Sequence, residues 1–191
     1  MIALALGHPD WVVGFQDEVW WSRYAQPNLQ TWTDDKPLLL IHNEPDRHAP
    51  EPKAIAWYGL LRADTQGMLL RFVNGRPVSA VTTQCLTWLT ARLAAEGKTA
   101  LLMVWDHASW HVSQAVRAWL KAHNRRVKQA GGCRMVVCPL PSKRPWLHRI
   151  EPTWVHGKRA IAAPDRQLGV DALRHRICAY DDCELLEPIA Q

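Results

Sequence analysis

Three carboxylates stand where a carboxylate is costly or conspicuous. Asp17 falls inside an aromatic and β-branched run, Trp11 to Trp21 (WVVGFQDEVWW), with Phe15, Val19 and Trp20 around it. An acid inside such a strand needs solvent or a bound cation to offset its desolvation. Glu18 follows it directly and, by the two-residue alternation of a strand, points to the opposite face. Asp106 ends the apolar run LLMVWD, at the carboxyl end of a predicted strand, where open α/β sheets place their ligands. Glu151 opens a predicted helix inside a strongly basic stretch. Singly, each has a structural reading: Asp106 as a cap for the next helix, Glu151 as a partner of Arg149 or Arg159. Together, three hard oxygen donors on separate elements suit Mg²⁺ or Mn²⁺. Two such ions about 3.5–4 Å apart activate a water or a 3′-hydroxyl and stabilise the leaving oxygen of a phosphodiester.

Other candidate groups carry less. His107 and His111 are four apart, a spacing that puts two ligands on one face of a helix. With no third soft partner, they read as loop and helix-start residues. The five cysteines form two pairs spaced by five, Cys133/Cys138 and Cys178/Cys183, with Cys85 apart. That is the loose edge of zinc-site spacing, and reduced thiols are the simpler reading. There is no G-x-G-x-x-G, G-x-x-x-x-G-K-[ST] or G-x-S-x-G, which removes dinucleotide, P-loop and nucleophile-elbow chemistry.

The elements that must hold the acids follow from the hydrophobic pattern. Trp11 to Trp21, Ala54 to Leu61 and Met68 to Val73 read as strands, the last two joined through DTQG as a hairpin. Residues 26–53 read as loops around one short apolar island, Leu38 to Ile41. From Ser79, a predicted N-cap, to Glu96 the apolar period is helical, and Gly97 is the stop. Ala100 to Trp105 reads as a central strand buried on both faces. A second helix follows Val112, carrying Arg117, Lys121, Arg125, Arg126 and Lys128 on or beyond its polar side, and ends at Gly131-Gly132. Arg134 to Leu140 is a further strand. Helices are predicted from about Glu151-Pro152, since proline is tolerated in a first turn, and from about Leu168 to Tyr180. The order predicts an α/β fold with an antiparallel part, not a doubly wound sheet throughout.

Charge adds a partner. The 191 residues carry a net +5, unevenly spread: residues 1–110 sum to −2, residues 111–176 to +11 and the last fifteen to −4. A basic block of that size suggests a polyanion. A chain of this length is expected to fold as one domain without disulfide or metal staples. Its apolar runs fall far short of the ~20 residues of a membrane span. The start, MIALALGHPDW, lacks the basic residue and cleavage site of a signal peptide.

At the three acids the sequence resembles a known family. FQDE at 15–18, VWDHASWHVS at 104–113 and PSKRPWLHRIEPTWVHGKR at 141–159 resemble the signature blocks of mariner-superfamily DDE transposases, and most nearly the bacterial insertion-sequence type, a DDE superfamily endonuclease. The resemblance runs from about residue 11 to 180. It implies a ribonuclease H-like mixed sheet and a metal-binding catalytic triad of Asp17, Asp106 and Glu151 with two Mg²⁺ or Mn²⁺ ions. It also implies DNA as partner, in a bacterial, cytoplasmic, nucleoid-associated setting. Glu18 and His107 then lie next to the ligands, and Lys143, Arg144, Trp146, Arg149, Trp154, Lys158 and Arg159 are the candidate DNA contacts, the two tryptophans by stacking on an unpaired base. The expected activity is DNA cleavage and 3′-hydroxyl strand transfer; a silent DNA-binding module or a plain metal-dependent nuclease are the alternatives. The chain departs from the family at His107, where an Asn is usual, and at Leu147-His148-Arg149-Ile150-Glu151, where L-N-P-I-E is usual. Residues 1–191 are expected to be the catalytic domain alone, without the family's N-terminal helix-turn-helix, acting as a homodimer or with a separate N-terminal polypeptide.

Overall fold

A computed structural model describes residues 2, 5, 7–23, 30–31, 38–39, 48, 50–141, 147–161 and 168–190. Strand β1 (Trp11–Ser22) is the spine of the sheet. Two short strands, β2 (Gln30–Thr31) and β3 (Leu38–Leu39), pair with each other, and the remainder of the predicted apolar island, to Ile41, lies outside the described residues. The hairpin of β4 (Ala54–Arg62) and β5 (Met68–Asn74) follows as expected. Then come α1 (Ser79–Ala95), β6 (Ala100–Trp105), α2 (Gln114–Ala130), β7 (Arg134–Pro139), α3 (Glu151–Ile161), α4 (Val170–Tyr180) and β8 (Ile189–Ala190).

The main sheet has the order β7-β6-β1-β4-β5-β8. Strands β6 and β7 run parallel to β1, and β4 is antiparallel to it. The short β8, which no sequence signal marks, closes the far edge by pairing in parallel with β5. All six residues of β6 are buried, as an apolar run without alternation requires when helices cover both faces.

The alternation along β1 sorts the core into two layers. Odd positions Val13, Phe15, Val19 and Trp21 join Trp154, Ile161, Leu173 and Ile177 of α3 and α4 on one face. Even-numbered Val12 packs on the other face with Val81, Cys85, Leu89 and Leu93 of α1 and Val116 of α2. Helix α1 begins differently from the sequence expectation: Val78 is its N-cap, without a side-chain bond, and Ser79 is already helical. Helix α2 starts two residues later than Val112, where the Ser113 hydroxyl accepts the Val116 N–H. That serine, not Asp106, caps the helix.

Two glycines let α3 reach the sheet. Gly59 lies opposite Asp17 in the β1–β4 pairing, and a Cβ there would sit 2.4 Å from Cη2 of Trp154. Gly157, one helical turn after Trp154, lies under Trp21, where a Cβ would meet Cη2 at 2.9 Å. The helix therefore rests on the sheet through one indole and one notch. Gly59→Ala should cost about 1–3 kcal/mol, the usual penalty of overpacking a filled core, read as a lowered urea midpoint at unchanged m-value. Adding Trp154→Phe should recover part of the loss, because the smaller ring vacates the clash.

Candidate active site

The site lies where β6 stops and β1 continues. The parallel β1–β6 register ends at Phe15 opposite Val104. Two residues further along each segment stand Asp17, still in β1, and Asp106, one residue past the end of β6. Among the described residues, β1 beyond Phe15 keeps only β4 as a partner, and the carboxyl edge beside Asp17 has no strand on its other side.

Asp17 is held by two donors. Its Oδ1 accepts the Glu18 backbone N–H at 2.8 Å, and its Oδ2 accepts Trp154 Nε1–H at 2.9 Å. Burial pushes its pKa up to about 7, against the Trp154 hydrogen bond, and the charges of Glu18 and Asp106 push it the same way. Glu151, at the first residue of α3 and three before Trp154, is likewise raised, by burial and then by the charge of Asp106. Residues three apart on a helix share a face, so the tryptophan that anchors α3 on Asp17 also brings Glu151 toward Asp106. The three predicted acids thus feel one another across three elements, through Asp106 as the common neighbour.

His111 reads from sequence as a loop or helix-start residue, and it does lie in the turn just before the Ser113 cap of α2, but with its side chain buried. It is 3% exposed and lies between two carboxylates: Nδ1 is 2.6 Å from Asp106 Oδ1 and Nε2 is 2.8 Å from Glu18 Oε1. Its ring stacks on Trp105 at 4.0 Å. Burial alone would lower its pKa, but the bonds to Asp106 and Glu18 outweigh that and raise it to about 9. As an imidazolium it donates from both nitrogens. Asp106 is in turn lowered despite its burial, chiefly by His111 and by the Ala108 N–H that its Oδ1 also accepts. Glu18 accepts three side-chain donors, from Gln16 Nε2, Trp110 Nε1 and His111 Nε2. The available sequence signal was the five-residue spacing of Asp106 and His111 across a loop ending at the Ser113 cap.

The remaining predicted residues divide. His107 is exposed, and its Nε2 donates to the Leu140 carbonyl at 2.7 Å, tying the loop after β6 to the end of β7. Arg149 is exposed, its guanidinium 5.7 Å from the centre of the Phe15 ring, and Lys158 and Arg159 are exposed on α3. Trp154 requires a correction. At 6% exposure, with its indole N–H given to Asp17, it is a core anchor and has no face free to stack on a base. Lys143, Arg144 and Trp146 lie outside the described residues. His148 is buried against Phe15, and burial lowers its pKa, so a neutral imidazole stands just before α3.

Among the described residues no three His, Cys, Asp or Glu side chains converge as they stand into a metal-holding group. Both oxygens of Asp17 and one of Asp106 are taken up by protein donors. The donor set nevertheless fits a hard divalent cation. It is all carboxylate, and Asp17 and Glu151 are raised chiefly by burial and further by neighbouring carboxylate charge, both of which a bound cation would offset.

The sheet order and the carboxylate edge define an α/β domain of ribonuclease H-like fold. That is the fold of the Mos1 transposase catalytic domain. A Mos1 transposase paired-end complex with the left transposon end superposes with a TM-score of 0.66 at 17% identity, covering 92% of this chain and 48% of that one. A Mos1 mariner paired-end complex with Mn gives 0.64 at 16%, with the same coverage. The Mos1 catalytic domain with raltegravir and Mg gives 0.57 at 14%, covering 92% and 72%. The chain spans about half the length of the Mos1 chains in the paired-end complexes. No protein-family model and no curated protein sequence matches it.

A raised carboxylate makes the metal-free protein pH-sensitive. Asp17 contributes stability that is complete below its unfolded value near 3.8 and lost as pH rises through about 7. His111 contributes stability complete below 6.5 and lost through about 9. In EDTA the thermal midpoint should therefore fall from pH 5 to 7 and again from 7 to 9. Asp17→Asn should make the first fall markedly shallower, because the amide does not titrate, while keeping an oxygen for only one of the two donors that hold Asp17. Asp181, raised by burial to about 6, leaves some slope in place.

Proposed function

We propose that this chain is the catalytic domain of a DDE transposase of the mariner superfamily, of the bacterial insertion-sequence type, which cleaves DNA phosphodiester bonds and joins the freed 3′-hydroxyl to a second DNA. The observation that carries the reading is that Asp17 of β1 and Glu151 of α3 both feel the charge of Asp106, just past the carboxyl end of β6, in a fold shared with Mos1. Asp17, Asp106 and Glu151 would hold Mg²⁺ or Mn²⁺, which when bound supplies activation of a water or 3′-hydroxyl and charge stabilisation at the leaving oxygen.

The chain's own residues set up that chemistry. His111 and the Ala108 N–H fix Oδ1 of Asp106, so its other oxygen is left for a ligand. Glu18, which accepts from Gln16, Trp110 and His111, serves as the anchor of His111. Trp154 orients Asp17 and sets the depth of α3 together. The exposed Arg149, Lys158 and Arg159 provide phosphate contacts beside the acids, a sequence-independent source of affinity. The departures at His107, His148 and Arg149 keep one rival in play, a silent DNA-binding module.

Asp106→Asn tests the reading. The amide oxygen can still accept from Ala108 N–H and His111, so the fold should survive, with a thermal midpoint close to the parent's. Losing a negative ligand should lower Mn²⁺-dependent cleavage of end-containing DNA by at least about a hundredfold, while duplex binding by fluorescence anisotropy stays within about threefold. Cleavage equal to the parent's would refute the metal role of the acids. A parent that binds DNA but never cleaves with either ion supports the silent module, and one that cleaves without joining pre-cut ends is a plain nuclease.

A further inference from the structure

The solvent face of α2 carries charge that neither the fold nor the carboxylate site uses. Arg117, Lys121, Arg125 and Lys128 are all exposed, no acid stands anywhere on the helix, and none of the four is in an ion pair among the described residues. At 100° per residue the four fall within an arc of about 80°, and at 1.5 Å rise they extend over about 16 Å. The opposite side of the helix is buried through Val116, His123 and Val127. Like charges at four-residue spacing weaken a helix by roughly 0.2–0.5 kcal/mol per pair. Arg117–Lys121 and Lys121–Arg125 are two such pairs in succession, so folding gives no reason for the stripe.

Its placement does. The helix is capped by Ser113, two residues after the histidine that holds Asp106. It then links the carboxyl end of β6 to the start of the parallel β7, so it leads away from the acids along the sheet. It is also held rigidly. The Asn124 side chain donates to the Met135 carbonyl at 2.8 Å and accepts the Met135 N–H at 2.9 Å, and His123 Nε2 donates to the Cys133 carbonyl. Helix α3, with Lys158 and Arg159, packs on the other face of the sheet.

We propose that the solvent face of α2 is a DNA-contact track, on which the backbone of a duplex lies as it leaves the carboxylate site, distinct from the contacts of α3. This rests on the reading of the chain as an enzyme acting on DNA. A rigid row of guanidinium and ammonium groups matches a phosphate backbone in charge and needs no base recognition.

The test uses the full chain, a random-sequence 30-base-pair duplex and a salt series. Replacing Arg117→Gln, Lys121→Gln and Arg125→Gln together keeps good helix formers at exposed positions, and a circular-dichroism melt checks that the fold is retained. The slope of log K against log salt should become less negative by about 2–3, at about 0.9 for each phosphate no longer neutralised, with Kd at 100 mM salt at least about tenfold weaker. A variant with the parent's slope and a Kd within twofold overturns the track while the DNA reading stands. A parent showing no salt-dependent duplex binding overturns both.

Discussion

One hydrogen bond joins the two halves of this site: Trp154 Nε1–H to Asp17 Oδ2, made across the gap that Gly59 leaves in β4. It fixes a carboxylate of the sheet and the height of α3 in the same contact. Glu151 rides on that helix, one turn back, so its reach toward Asp106 is a consequence of where the indole sits. The contact also explains why an acid is tolerated at a position facing Phe15, Val19 and the α3 layer. It receives a donor on each oxygen, yet remains poorly solvated and close to like charge. Packing is thus used to hold charges nearer to one another than they would settle in water.

The second support acts from the other face. Asp106 projects from the end of β6, where no further sheet pairing is found among the described residues, and His111 supplies a restraint by reaching back from the loop before α2. The imidazole in turn leans on Glu18, the even-numbered neighbour of Asp17. Adjacent residues of β1 therefore serve opposite sides of one site. Asp17 meets the α3 side and Glu18 anchors the α2 side, a division the two-residue strand period makes available without any insertion. A fixed Asp106 oxygen and a buried cation close by leave the acid ionised while its neighbour Asp17 is pushed toward neutrality.

Much of this was legible in the chain itself. The strand runs around Asp17 and Asp106, the helical change of period after Ser79 and the glycine stops all declared themselves locally, because hydrophobic periodicity and φ preference are local properties. Gly97 and Gly131 do adopt positive φ at their helix ends. What escaped was set by contacts between distant segments. Trp154 sits among basic residues in the sequence and looks available to a nucleic acid, but its burial depends on Gly59, ninety-five positions earlier. His111 shows its link to Asp106 only as a five-residue spacing, and its burial depends also on Glu18, ninety-three positions earlier. The closing strand β8 is two residues long and forms only because β5 offers an edge.

The side-by-side placement of Asp17 and Glu18 makes strand slippage chemically inconspicuous. Moving β1 by one residue would carry Glu18 to the α3 face and still present an acid at the open edge, so charge alone cannot tell right from wrong alignment. Shape must do so. A side-chain carbon on Gly14 would lie 2.6 Å from Leu60 Cδ1, and on the neighbouring strand Gly59 admits the indole paired with Asp17. A slipped strand would set Phe15 or Val13 against Leu60 in place of that glycine. The two missing side chains act as the key that admits a single alignment, and they hold it although neither can touch a substrate.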